Sequence, residues 1–168
     1  MAKHKQARPI TDADWQVLFA TEPYRGLKVR EAAMHNPFSD DDFAKFVLSE
    51  EVQGEYGDFS RTLEAWKKAD LRAGGERVLK YLPGEATIHV KVFPVIKPRP
   101  NNFVSDTESD PAIFLAVNPK TSQQKFENTV SHEMHHIGLA STDKLYERKV
   151  ASLPPGAQKA ALLDGSFR

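Results

Sequence analysis

The residues of this chain best suited to chemistry stand together in the run His132-Glu133-Met134-His135-His136, an HExxH string. Side chains four residues apart on a helix lie one turn apart on the same face, so the imidazoles of His132 and His136 can both reach one ion. Neutral imidazole nitrogens are ordinary zinc ligands, and zinc that keeps a coordination position open lowers the pKa of water towards about 7 and polarises a carbonyl. Glu133 stands beside the ligand face, where spacing suits it to proton transfer rather than coordination. It is the candidate general base, taking a proton from water and returning it to a leaving amine. The chemistry expected is hydrolysis of a peptide bond, with a peptide or protein as substrate.

A helix must carry this run, and the surrounding residues supply one. Thr121 or Ser122 is a suitable N-cap, and Gly138 is a suitable terminator. Counting about 100° per residue from Phe126 places Val130, Met134 and Ile137 within an arc of roughly 80°. By the same count His132 falls at about 240°, His136 at about 280° and Glu133 at about 340°, the glutamate lying between the ligands and the apolar arc. The helix is therefore expected to pack by one stripe and present a metal site beside it. His135 lands at about 180°, away from both ligands, and is read as a bystander.

The other chemistry-bearing residues are weaker. His89 falls in a strand pattern, and His4 and His35 lie in polar surroundings, where surface positions are the ordinary expectation. Ser39 with Asp40, Asp41 and Asp42 fits a helix N-terminus, whose dipole favours acidic groups, and lacks the spacing of a calcium loop. No glycine-rich phosphate loop or nucleophile elbow is present. Tyr146, Tyr24 and His89 are the available types for an oxyanion donor, and the sequence does not choose among them.

Upstream of the HExxH helix the chain divides into a helical part and a strand part. From Thr11 to about Tyr81 apolar residues recur at helical spacing. Asp12 or Asp14 can cap a helix holding Trp15, Leu18 and Phe19; Ser39 can cap one holding Phe43, Phe46 and Val47; and Ser60 or Thr62 precedes Leu63, Trp66, Ala69 and Leu71. These aromatics are expected in the core. Residues 86–93 alternate as a half-buried strand, prolines at 94, 98 and 100 reduce residues 94–101 to an edge or loop, and residues 113–117 form a short apolar strand. If residues 113–117 are an exposed edge beside the HExxH helix, an extended peptide can add to them as a further strand.

The composition of the 168 residues fits one domain with its own core. Lysine plus arginine (23) equals aspartate plus glutamate (23), which leaves no single-signed field for nucleic acid or an anionic membrane. With no cysteine, thiolate zinc sites, disulfides and cysteine nucleophiles are excluded. The N-terminus is basic but is followed by no apolar run of signal-peptide length, and no stretch approaches a membrane span, so a cytoplasmic location is expected.

With these residues in view, the chain resembles the zincin metallopeptidases, in which a strand lies beside the HExxH helix. It is most similar to a bacterial family of zinc-dependent peptidases, through residues 18–24, 81–83, 95–98 and 126–138. The resemblance implies an α+β, zincin-like fold with N-terminal helices and a small sheet whose edge strand neighbours the active helix. It also implies His132 and His136 as zinc ligands and Glu133 as the base. The metzincin pattern is broken, because Gly138 follows His136 by two positions rather than three and Thr142 stands where a third histidine would be. Asp143, Glu147 and Asp164 are the candidate third ligands within the chain. The resemblance implies a glutamate on a helix returning after Pro154 and Pro155, expected beyond Arg168, so that a chain ending there holds zinc weakly. The competing expectations are a zinc-binding or interaction domain without turnover on the same scaffold, and an interaction protein in which the HExxH string is accidental.

Overall fold

The computed structural model describes residues 10–106, 109–154 and 157–158. The chain is α+β: among the described residues six helices precede three short strands, and one long helix follows them. The first six are α1 (Asp12–Phe19), α2 (Glu22–Ala33), α3 (Asp40–Val47), α4 (Glu50–Gly54), α5 (Tyr56–Trp66) and α6 (Leu71–Leu79). Next come β1 (Lys91–Val95), β2 (Phe103–Ser105), β3 (Ala112–Ala116) and α7 (Gln123–Ala151). Among the described residues no helix is long and apolar enough to cross a membrane.

Local chemistry sets most helix starts. Ser39 and Asp42 form a reciprocal capping box at α3, as the sequence implied. At α1 the cap is Thr11, with Asp14 reaching back from the first turn, so neither aspartate is itself the cap. Ser60 and Thr62 lie inside α5, which begins at Tyr56, and Leu71 opens α6.

The sheet order is β1-β3-β2, with β1 parallel and β2 antiparallel to β3. This corrects the expectation that residues 113–117 offer an edge: β3 is the central strand, and both its sides are already paired. It is also covered on both faces. Alternation sends Phe114 and Ala112 towards Tyr24, Leu27, Phe43 and Val47 of α2 and α3, and sends Ile113 and Leu115 towards α5 and α7. The result is three layers, helices on either side of a small sheet.

The free edge of β1 is poorly suited to taking another strand. Lys91 N–H bonds to Pro111 O and Val95 O accepts from Val117 N–H, so this set of residues faces β3. Pro94 alternates with them along the strand and has no N–H to offer on the outer side. The strand itself starts later than alternation implied: residues 86–90 carry no ladder, and His89 is exposed among them.

Two close approaches tie the layers together. A Cβ at Gly26 would lie 2.5 Å from Cζ of the buried Phe114, so only glycine lets α2 lie this close to β3. Beyond β1, the nearly buried ammonium of Lys97 pairs with Glu31 of α2 at 3.1 Å and lies 4.9 Å from the centre of the Phe103 ring. A buried cation is tolerated here because a carboxylate and a ring face replace its water.

Candidate metal centre

The position of α7 follows from how its start is held and which face it buries. Ser122 caps it by accepting a hydrogen bond from Lys125 N–H at 3.2 Å. Just before the cap, Trp66 Nε1 donates to Thr121 O and Thr62 Oγ1 to Pro119 O, both at 3.3 Å. The Trp66 ring stacks on Phe126 with centroids 4.4 Å apart, so α5 fixes the first turn of α7. The apolar arc read from the sequence is the buried stripe: Phe126, Val130, Met134 and Ile137 are exposed by no more than 6%.

Gly138 does not end the helix, contrary to its sequence reading; α7 runs on to Ala151. The glycine serves packing instead, since a Cβ there would lie 2.4 Å from Leu82 Cδ1 and 3.1 Å from Ile88 Cγ1. The segment between α6 and β1 thus crosses α7 at this point, held also by Thr87 N–H donating to Ser141 Oγ at 3.0 Å. A second approach was not anticipated. Gly74 and Gly75 of α6 face Ser131 and Met134, and a Cβ at Gly74 would stand 3.2 Å from Ser131 Oγ. The adjacent glycines inside a helical pattern were the signal for it.

On the far side of this packed stripe, His132 and His136 are both exposed. Their Nε2 atoms converge to 3.1 Å, with ring centroids 4.6 Å apart and ring planes at 85°. Two nitrogens bound at about 2.0–2.1 Å to one tetrahedral zinc stand about 3.3 Å apart, so a small rotation of either ring suits the pair to one ion. Glu133 is half-buried between this face and the core stripe. His135 is exposed, its ring centroid 6.0 Å from that of His136.

The remaining site candidates fall elsewhere. Asp143 and Glu147 stay on the same uninterrupted helix, seven and eleven residues past His136. A rise of about 1.5 Å per residue puts them roughly 10 and roughly 16 Å along the axis, far beyond the reach of a shared ion. They are therefore excluded as third ligands, and among the described residues no third His, Asp or Glu joins the pair in a metal-holding cluster. Asp164, His4 and Pro155 lie outside the described residues.

Of the oxyanion candidates, Tyr24 is buried across the sheet and donates its hydroxyl to Asp40 at 2.7 Å. Burial, and then that bond to a carboxylate, push its pKa well above the usual phenol range. Tyr146 is ten residues beyond His136, about 15 Å along α7. His89 is exposed on the chain that follows the crossing at Gly138.

Residues 29–153 match the family described as "Putative zinc dependent peptidase (DUF5700)". The chain belongs to this family. No curated protein and no solved structure matches it. The matched span takes in all of α3 to α7, and so every described element that builds or supports the histidine pair.

Proposed function

We propose that the chain is a zinc-dependent peptidase on a zincin-like scaffold, with His132 and His136 holding the ion and Glu133 moving the proton. The observation that carries this reading is the 3.1 Å approach of the two Nε2 atoms on the solvent face of a helix whose other face is locked in the core. Zinc, when bound, supplies a Lewis acid that acidifies water and polarises the scissile carbonyl. The protein's own residues do the rest. His132 and His136 present neutral nitrogens in a fixed relation, because Val130, Met134 and Ile137 prevent the helix from turning. Glu133, next along the helix, takes the proton of the attacking water and hands it to the leaving nitrogen as the peptide bond breaks.

The third protein ligand belongs, in this reading, to a group outside the described residues, Asp164 being one such residue. The substrate is a peptide or protein. Because β3 is central and β1 carries Pro94 on its outer side, the substrate is held by surfaces other than those strand edges.

A second reading is favoured by the lack of a third ligand among the described residues: a zinc-binding interaction domain without turnover. One pair of measurements separates the two. Zinc content and hydrolysis of a mixed peptide library are followed for the unmodified protein and for Glu133→Gln. The peptidase reading expects the variant to keep its zinc and lose roughly a hundredfold or more in rate. Zinc binding without hydrolysis in the unmodified protein would establish the interaction domain. Loss of zinc in Glu133→Gln would make the glutamate a ligand or structural anchor.

A further inference from the structure

A sizeable cavity lies away from the histidine pair. It is lined by residues of α1 to α5 and the end of β1, and has a volume of about 520 Å³. That is within the range of small-molecule sites, roughly 300–1,000 Å³. Its walls are mostly apolar, including Trp15, Leu18, Leu27, Val47, Leu63 and Val95. Neither His132, Glu133 nor His136 is among its lining residues.

Several polar groups of the wall are already engaged. Tyr24 donates to Asp40 at 2.7 Å, Thr21 Oγ1 to Leu18 O at 2.7 Å, and the Asp14 carboxylate accepts from Thr11 Oγ1 at 2.8 Å. Gln53 is the exception. Its Nε2 donates to Val47 O at 2.6 Å, which fixes the orientation of the amide. Its Oε1 is buried and, among the described residues, has no hydrogen-bond partner. A buried carbonyl that gains no hydrogen bond on folding is unfavourable, and a native structure rarely leaves one without a donor to meet it.

We propose that this cavity is a binding site for a neutral, largely apolar small molecule carrying one hydroxyl or N–H group, with Gln53 Oε1 as the acceptor that orients it. The requirement for a donor follows from the fixed amide: a carboxylate or phosphate would bring oxygen lone pairs against an oxygen. No lysine, arginine or histidine stands among the described lining residues to compensate such a charge. The site is separate from the histidine pair and does not depend on the peptidase reading.

Three probes on one ring system test it by calorimetry on the full chain at neutral pH: 2-naphthol with a donor, 2-methoxynaphthalene without one, and 2-naphthoate with an anionic acceptor. Saturable one-to-one binding of 2-naphthol is expected, about tenfold tighter than 2-methoxynaphthalene, with 2-naphthoate weakest. Gln53→Leu is expected to erase the difference between the first two. Leu18→Trp, at a partly exposed rim position, should weaken all three while leaving zinc binding unchanged. Failure of 2-naphthol to bind saturably would overturn the proposal, as would equal affinities for 2-naphthol and 2-methoxynaphthalene in the unmodified protein. That comparison needs no variant, so it stands even if Gln53→Leu does not fold.

Discussion

The two faces of α7 differ in almost every physical respect. One carries Phe126, Val130, Met134 and Ile137, nearly sealed against β3 and α5; the other carries His132 and His136, exposed to solvent. The buried face supplies the free energy that fixes the helix, and the exposed face contributes little to stability. This division lets a pair of imidazoles be held close together without a scaffold built around them, because the rigidity comes from behind. On the proposed zinc reading it also requires a ligand from elsewhere, since one face of one helix cannot surround an ion.

Substitutions should separate the faces cleanly. The largest effect is expected at the exposed one. His132→Ala and His136→Ala should each weaken zinc binding by about a hundredfold or more while changing the stability of the metal-free protein by no more than about 0.5 kcal/mol. His135→Ala should change neither, and equal zinc loss in all three variants, read by equilibrium dialysis, would remove the assignment of His135 as a bystander. On the buried face the pattern should invert. Ile137→Ala creates a cavity in the core cluster and should cost about 2–5 kcal/mol in denaturant unfolding, lowering the melting temperature by roughly 5–15 °C, with zinc affinity of the folded fraction retained.

Smaller effects distinguish the two glycine approaches. Alanine at either position gains about 1 kcal/mol of helix propensity and must then find room. At Gly26 the obstacle is the ring of Phe114, itself stacked on Phe103 at 4.4 Å and unable to move aside. At Gly138 the nearest atom is the tip of the half-buried Leu82 side chain, which can rotate away. Gly26→Ala should therefore lose about 1–2 kcal/mol net and Gly138→Ala less than about 1 kcal/mol. Equal losses would mean that the crossing segment is as rigid as the aromatic core.

The smallest effect concerns Asp40, whose carboxyl is held below the usual aspartate range by the Lys28 ammonium and then by the Tyr24 hydroxyl. A depressed native pKa stabilises the fold above the unfolded value of about 4, and the gain is lost as pH falls through the native value. With both members of the Lys28 pair substantially exposed, the contribution is a few tenths of a kcal/mol. Asp40→Asn should flatten the acid limb of the stability curve by about that amount.

Much of the site was legible because it depends on local rules. The apolar arc and the common face of His132 and His136 follow from helical spacing alone, and residue type narrows the cap to Thr121 or Ser122, of which Ser122 serves. What was not legible depends on distant partners. Gly138 has the local character of a stop signal, and only the crossing of Leu82 and Ile88 explains why the helix continues through it. Asp143 and Glu147 are candidate ligands by their closeness to the motif in sequence, and the unbroken helix carries them away from the pair. Residues 113–117 resembled an edge because β2 is three residues long and follows a proline-rich stretch that gives no strand signal. The capping residue of α1 is Thr11, one position before Asp12 and three before Asp14, since Thr11 and Asp14 share the work.

Pro94 has a consequence for how copies of the protein meet one another. An open row of unpaired amides along a sheet edge is a template on which a second molecule can align its own strand, and chains joined that way form ribbons. On β1 one of the two outward-facing positions is Pro94, which has no amide hydrogen, and the opposite edge, β2, spans only Phe103 to Ser105. Among the described residues the small sheet is thus blunted at both edges, at one by chemistry and at the other by length.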